Sequence, residues 1–278
     1  KKEPDQVADA LVWHPDVRRM LLTQKAIAEG GRAMIYSAAQ IADKMFSAVL
    51  AGDQKQYEAY DSELGFFTPI LKGFITEMGL EAANLGMQVF GGHGYIQDHG
   101  MEQIARDARI ATLYEGTTGI QALELLGRTV PLGTKGACVR DFSATMLSLA
   151  KPHLFSRGPL GSMARSLLLR AGQWNLLTTR LMLRSARDRE QVGAASYDFL
   201  MYSGFCMMAH FWLLQAIRAS EQLASGSGAE SAAFYQAKIE TAQFYFARLL
   251  PRANSHHVAA LASTASLMQT DKDNLRIA

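Results

Sequence analysis

The sequence predicts an all-α protein. Apolar residues recur at helical spacing along most of the 278-residue chain, and we find no segment in which apolar and polar residues alternate as in a strand. A hydrophobic fraction of 49% against a charged fraction of 19% indicates a large buried core. We expect two units in sequence, a helical bundle over residues 1–130 and a second, up-down helix bundle over residues 131–278.

Two long helices are predicted in the first unit. His14-Pro15-Asp16 opens the first, whose apolar stripe runs to Met45. Gly30-Gly31 is expected to interrupt this helix and to permit close packing. The second is predicted from Ser62 to Phe90, because the stretch that contains Pro69 is typical of the first turns of a helix. It should stop at Gly91-Gly92-His93-Gly94.

Two shorter helices should complete this unit. One runs from Met101 to about Thr112, and the other from Thr117 or Thr118 to Leu126, with Gly127 as its C-cap. The segment Thr129–Gly136 is rich in turn-forming residues and is predicted to be a linker.

The second unit should contain about four helices joined by short connections. We predict them at Val139–Ala150, Ser162–Arg187, Ala194–Leu223 and Ala229–Leu250. Pro251 should end the last one, and the polar tail from Ser263 onward is expected to be loosely ordered.

The most apolar segment, Phe199–Ile217, is long enough to suggest a membrane span. It contains Ser203, His210 and Gln215, however, and these polar residues favour a buried helix of a soluble bundle.

Composition excludes several classes of function. A net charge of +2, with no long basic run, argues against nucleic-acid binding. Cys138 and Cys206 are too few and too far apart for a disulfide framework, which fits a reducing, cytoplasmic compartment. Lys1 to Asp5 do not begin a signal peptide and include no initiating Met, so the chain could be a fragment of a longer protein.

The segment from Gln88 to Arg128 contains the candidate functional residues: QVFGGHGYIQDHGMEQIARDARIATLYEGTTGIQALELLGR. Within it, Glu115 follows an apolar approach and precedes Gly116-Thr117-Thr118-Gly119. A carboxylate in apolar surroundings becomes a usable proton acceptor near neutrality. Small and hydroxyl residues after it let another molecule approach the backbone closely. The alternative is a solvated loop glutamate.

In their order and spacing, QxxGGxGY, RDARI and YEGTTGIQ resemble the acyl-CoA dehydrogenase family. The resemblance covers roughly residues 15–128 and implies the C-terminal helical bundle of a flavin-dependent enzyme of fatty acid β-oxidation. The second half looks like the extra C-terminal helical domain of a larger subgroup. The resemblance implies that Glu115 removes the α-proton of an acyl-CoA thioester while a hydride leaves the β-carbon for FAD. It also implies that Tyr114, Glu115 and Gly116 bind substrate, although Tyr114 could equally be a core tyrosine.

The resemblance also implies an FAD site. Gln88, Gly91 and Gly92 match positions that reach the FAD of a neighbouring subunit, and Thr117, Thr118 and Gly119 match flavin-contacting positions. Many members of the family have Gln where this chain has Gly119, which leaves a side-chain contact there open. Glycine C-capping and threonine N-capping are alternative or additional roles for these residues.

Other polar residues of the segment are interpreted as structural. Arg106 and Asp107 are expected to form an ion pair or loop anchor that positions the base. His93, Asp98 and His99 could suggest a metal, but the family has none and no metal site is expected. The adjacent His256 and His257 should point to different helix faces.

Three readings of the function remain. The first is an acyl-CoA dehydrogenase that passes electrons to an electron-transfer flavoprotein and forms a homodimer or higher homo-oligomer; the second is an acyl-CoA oxidase. The third is a non-catalytic helical oligomerisation module in residues 131–278. The chain does not contain the other segments that, by the resemblance, enclose the flavin, so we expect the isolated polypeptide to bind FAD weakly and to be inactive.

Overall fold

The computed structural model describes residues 2–276, and helices dominate it. No strand occurs in this range, which confirms the all-α prediction. The α-helices are α1 Pro15–Leu50, α2 Gln54–Ile70, α3 Thr76–Phe90, α4 Gly92–Tyr95, α5 Met101–Ile110, α6 Thr118–Leu123, α7 Ala137–Ala150, α8 Pro159–Ser185, α9 Glu190–Ser225, α10 Ala232–Phe244, α11 Ala253–Ala260 and α12 Ala265–Met268. Three π-helical segments, Leu71–Ile75, Glu124–Gly133 and Tyr245–Leu249, continue α2, α6 and α10.

Helix α1 begins at Pro15 as predicted, but Gly30 and Gly31 do not interrupt it. They lie in the buried face of a continuous helix, where Gly30 allows α9 to approach and Gly31 faces Ile75 of the π-helical segment that follows α2. A Cβ atom at Gly30 would lie 2.6 Å from Nε1 of Trp212, and that nitrogen donates to the carbonyl of Ala26 at 3.1 Å. The packing role predicted for the glycine pair is therefore correct, and the predicted break is wrong.

The second helix begins earlier than predicted. Asp53 caps α2 by accepting a hydrogen bond from the Gln56 amide at 3.0 Å, so the helix starts at Gln54 and not at Ser62. Pro69 lies inside the helix, next to the π-helical segment Leu71–Ile75. The stop at Gly91 is confirmed, since Gly91 is the C-cap of α3 with φ of 60°.

The fourth helix runs past its predicted end. Gly127 is not a C-cap, because the helix continues as the π-helical segment Glu124–Gly133 through most of the predicted linker. Leu125, Leu126 and Val130 are buried there. At Gly127 the backbone lies close to α9, where a Cβ atom would come within 3.2 Å of Val192. Close packing explains this glycine.

The four predicted helices of the second half correspond to α7, α8, α9 and α10, with ends shifted by a few residues. The helix that begins with α10 ends at Leu249, just before Pro251 as predicted, and a 3-10 turn, Leu250–Arg252, then leads into α11. The tail includes the short helices α12 and Lys272–Leu275, and its last two residues, 277 and 278, lie outside the described range.

Helix α9 is at the centre of the protein. It is long and apolar enough to cross a membrane by length and composition alone, but 89% of its most apolar window is buried against other helices. Its burial fits the predicted role of a core helix.

Both halves of the chain contribute to one hydrophobic core. Phe66 of α2 stacks on Trp174 of α8, with ring centroids 6.0 Å apart. Arg252 donates two 2.8 Å hydrogen bonds to the carboxylate of Glu81. The boundary at residue 130 stays a prediction, but the two parts are packed against each other.

Candidate functional site

Glu115 lies in the turn between α5 and α6, and its backbone is unusual. Its φ is 52°, in the left-handed region that non-glycine residues rarely adopt, and Gly116 follows with φ of 93°. The Thr118 amide donates to the Thr112 carbonyl at 3.3 Å and closes the turn. Strained backbone conformations of this kind cluster at functional sites, where they fix the orientation of a side chain.

The side chain of Glu115 is exposed, and exposed apolar residues precede and follow it along the chain. Ile110, Tyr114 and Ile120 are 51%, 53% and 57% exposed. Large apolar side chains grouped in this way on a surface mark a region that another molecule covers. The apolar approach that the sequence predicts is present, but the described residues do not enclose it.

Lys72 of the π-helical segment Leu71–Ile75 and Glu77 in the first turn of α3 hold this turn. The Lys72 ammonium donates to the Ala111 carbonyl and lies 5.2 Å from the centroid of the Tyr114 ring. The Glu77 carboxylate accepts a 2.6 Å hydrogen bond from the hydroxyl of Thr118. Lys72 and Glu77 are not evident as site residues from the sequence, because they are about 40 residues away from the turn and belong to no motif.

Glu77 also faces α9. Burial raises the pKa of Tyr197, and the negative charges of Glu77 and Asp198 raise it further. Glu77 and Tyr197 line the same cavity, so Glu77 lies close to both the Glu115 turn and α9.

The predicted flavin positions fall into two groups. Gln88, Gly91 and Gly92 are exposed at the end of α3, and a Cβ atom at either glycine would meet nothing within 4 Å. Thr117 is the N-cap of α6, with its side chain accepting from the Ile120 amide at 3.3 Å, and Gly119 is exposed in the first turn. Open backbone at both places leaves room for a bound group.

Thr118 differs from its neighbours. It is buried, and its hydroxyl is hydrogen-bonded to Glu77, so in this chain it fixes the turn from behind. A contact between Thr118 and the flavin stays a prediction.

A cavity of about 710 Å³ lies between α3 and α5, and the predicted flavin residues are not among those that line it. Its lining includes Asn84, Met87, Arg106, Arg109 and Leu113. Guanidinium groups beside apolar side chains can hold a ligand that has both an anionic and an apolar part.

Arg106 and Asp107 do not pair with each other. Arg106 binds Glu102 at 3.1 Å, and Asp107 accepts from Gln103 at 2.7 Å, because residues four apart meet on a helix while adjacent ones do not. The anchor in this motif is Arg109, which donates to the hydroxyl of Thr112 in the Glu115 turn.

The histidines and cysteines play no part in this turn. The His93 and His99 rings meet edge to face with centroids 5.4 Å apart, and residues 2–276 include no group of three or more side chains placed to hold a metal. His256 binds Asp198 at 2.8 Å. Both cysteines are free, and burial raises the pKa of the Cys206 thiol to about 12.

Comparisons with known families match nearly the whole chain. Residues 2–130 match the acyl-CoA dehydrogenase C-terminal domain, and residues 138–271 match the acetyl-CoA dehydrogenase C-terminal-like domain. A 3-methylmercaptopropionyl-CoA dehydrogenase of Ruegeria pomeroyi is 37% identical over 91% of this chain and 42% of its own length. A broad-specificity linear acyl-CoA dehydrogenase of Mycobacterium tuberculosis is 32% identical over 96% of this chain and 43% of its own length. The chain thus spans about two fifths of these relatives.

Solved structures show the same fold. An acyl-CoA dehydrogenase from Bacillus anthracis, complexed with FAD, matches with a TM-score of 0.66 at 15% identity, over 94% of this chain and 44% of that one. Caenorhabditis elegans ACDH-11, in complex with C11-CoA, matches with a TM-score of 0.60 at 17% identity, over 86% of this chain and 37% of that one.

Proposed function

Because the chain belongs to the acyl-CoA dehydrogenase family, as its C-terminal helical part, we propose that it supplies the catalytic base and one wall of the flavin site of an FAD-dependent acyl-CoA dehydrogenase. The reaction is α,β-desaturation of an acyl-CoA thioester. The observation that carries the proposal is the placement of Glu115 in a left-handed turn that exposed apolar residues flank along the chain.

In this reaction the Glu115 carboxylate takes the proton from the α-carbon of the thioester. Among the described residues no protein acceptor binds the Glu115 N–H, so this group is available to the thioester carbonyl oxygen. A donor at that oxygen stabilises the negative charge that develops as the proton leaves. A bound FAD would supply the acceptor for the hydride that leaves the β-carbon. Tyr114 and Gly116, which flank the base, are proposed to contact the acyl group.

The residues present fit an FAD. Gln88, Gly91 and Gly92 offer an open backbone at the end of α3, and Thr117 and Gly119 offer the start of α6. We propose that the first group contacts the FAD of a second copy and the second group contacts the flavin beside Glu115. The chain would then function as a homodimer or higher homo-oligomer.

The proposed base must be shielded from water, and the described residues do not shield it. A carboxylate removes a carbon-bound proton best where water is excluded, whereas Glu115 is exposed in this chain. We therefore propose that the 278 residues alone bind FAD weakly and do not turn over. Purification of this polypeptide with one tightly bound yellow flavin per chain would refute this.

The electron acceptor is proposed to be an electron-transfer flavoprotein in the cytoplasm. An acyl-CoA oxidase is the alternative, because a solved acyl-CoA oxidase from Yarrowia lipolytica has the same fold with a TM-score of 0.65 at 15% identity, over 92% of this chain and 39% of that one. Hydrogen peroxide formed in proportion to product would identify an oxidase, and electron transfer to the flavoprotein without peroxide would identify a dehydrogenase.

The test is Glu115→Gln in the complete enzyme, with anaerobic flavin reduction by acyl-CoA followed at the flavin absorbance band. We expect the rate to fall by about 10²- to 10⁴-fold while FAD remains bound, because the amide cannot accept the proton. Glu63→Gln, an exposed carboxylate of α2, is the matched control and should leave the rate unchanged. Reduction of the Glu115→Gln enzyme at the wild-type rate would show that Glu115 is not the base.

A further inference from the structure

The residues that hold the Glu115 turn come from one place in the fold, the π-helical segment Leu71–Ile75 and its junction with α3. Lys72 lies within the segment and binds the chain on the N-terminal side of Glu115, at Ala111. Glu77 lies just after it and binds the chain on the C-terminal side, at Thr118. The base therefore lies between two anchors that belong to a single neighbouring helix.

The π-helical turn explains how both anchors reach the same loop. In an α-helix, residues five apart point about 140° away from each other around the axis. In a π-helical turn the hydrogen bonds join residues five apart, which brings such residues back to the same side. One π-helical turn lies between Lys72 and Glu77, and both side chains contact the Glu115 turn.

The turn requires such support. Glu115 and Gly116 both have positive φ, and a non-glycine residue remains in that region only where its surroundings impose it. Local support comes from three backbone bonds, since the Thr118 amide binds Thr112 and the Leu113 and Tyr114 amides bind Ile110. The Arg109 bond to Thr112 and a long contact of 3.5 Å from Gln121 to the Glu115 carbonyl add to it. The stronger constraints come from outside the turn. The Lys72 ammonium is charged, and the hydrogen bond from Thr118 to Glu77 is short.

We propose that Lys72 and Glu77 are positioning residues, which keep Glu115 in the left-handed conformation that aims its carboxylate at the substrate. The proposal rests on the function proposed above. Neither side chain needs to touch the reacting atoms, because Lys72 acts through Ala111 and Tyr114, and Glu77 acts through Thr118.

The test uses the complete FAD-containing enzyme with Lys72→Met and Glu77→Leu, which remove the charges and hydrogen bonds but keep apolar bulk. We expect flavin reduction and kcat to fall by about 10- to 100-fold with KM changed by less than about threefold, because small displacements of a catalytic group have effects of this size. Lys72→Arg should retain the contacts and restore most of the rate. Lys55→Met and Glu63→Leu, on exposed parts of α2, are the matched controls and should not change kcat.

A second measurement does not depend on activity. Amide hydrogen exchange of residues 112–118, followed by mass spectrometry, should become at least about tenfold faster in Lys72→Met and Glu77→Leu but not in the controls, because the turn loses its anchors. Wild-type exchange together with wild-type kcat in both variants would overturn the proposal. Faster exchange with unchanged kcat would also overturn it, since the turn would loosen without a catalytic effect.

The outcome for Glu115→Gln separates this proposal from the proposed function. If that variant loses flavin reduction while Lys72→Met and Glu77→Leu keep both the rate and the slow exchange, the base is correct and the positioning role is wrong. If Glu115→Gln is fully active, the proposed function fails and the positioning role fails with it, whatever the exchange shows.

Discussion

His210 gives a pH dependence of stability that can be worked out from the structure. It lies on α9 with only 7% of its surface exposed, between the rings of Phe142 and Phe211 at centroid distances of 5.2 and 5.1 Å. Among residues 2–276, no hydrogen-bond partner lies within reach of its Nδ1 atom. Burial therefore lowers the pKa of His210 to about 4, and the native protein holds this ring neutral at physiological pH.

The sign follows from the two states. Unfolded His210 has a pKa of about 6.5, so between that value and about 4 the unfolded chain binds more protons than the native one. The free energy of unfolding then falls as the pH falls through this window. For one histidine with these two values, the loss between about pH 7 and about pH 5 is about 2 kcal/mol.

The assay is urea unfolding at these two pH values, for the wild type, His210→Phe and His14→Phe. Phenylalanine keeps the aromatic contacts but cannot be protonated, so His210→Phe should lose about 2 kcal/mol less than the wild type on acidification. His14 is exposed, and its replacement controls for the removal of one histidine. The reasoning is refuted if the wild type and His210→Phe lose the same stability between the two pH values.

Three further predictions concern packing, capping and thiol chemistry. Gly204→Ala should destabilise the protein by about 1–3 kcal/mol, because its methyl group would overlap the Phe74 ring. Gly79→Ala, in open space on α3, should stabilise it by up to about 1 kcal/mol. Equal changes in the free energy of urea unfolding for the two variants would contradict this. Asp53→Ala should lower the free energy of unfolding by about 1 kcal/mol, because α2 loses its N-cap. Thermal unfolding followed by circular dichroism measures this effect, and an unchanged midpoint would show that the cap contributes nothing. Cys206 is buried and its thiol has a raised pKa, so iodoacetamide near pH 8 should modify it only after the protein unfolds. Alkylated Cys206 found by mass spectrometry of the native protein would contradict this prediction.

Local signals made much of the fold predictable, and long-range packing explains the errors. Pro15 and Gly91 mark helix ends through their own backbone conformation, so those ends were predicted correctly. Gly30 and Gly127 look like breaks in the sequence, yet each lies where another helix approaches the backbone. Pro69 is typical of the first turn of a helix, but here it lies inside α2, which begins after its N-cap Asp53. A glycine or proline has the same local appearance whether it ends a helix or lies in a tight contact, and only the partner helix decides between the two.

The same distinction explains which part of the candidate site could be predicted. Glu115 is found from the sequence because its neighbours along the chain form a continuous motif. Lys72 and Glu77 are not, because their relation to Glu115 depends on the π-helical turn that rotates them to one side of the helix. A π-helical turn has no distinctive local sequence, and its cost is offset only by contacts elsewhere in the fold. In this chain the π-helical turn places Lys72 and Glu77 against the loop that contains the left-handed Glu115. The contacts of these two side chains stabilise the strained loop, and the same contacts offset the cost of the irregular helix.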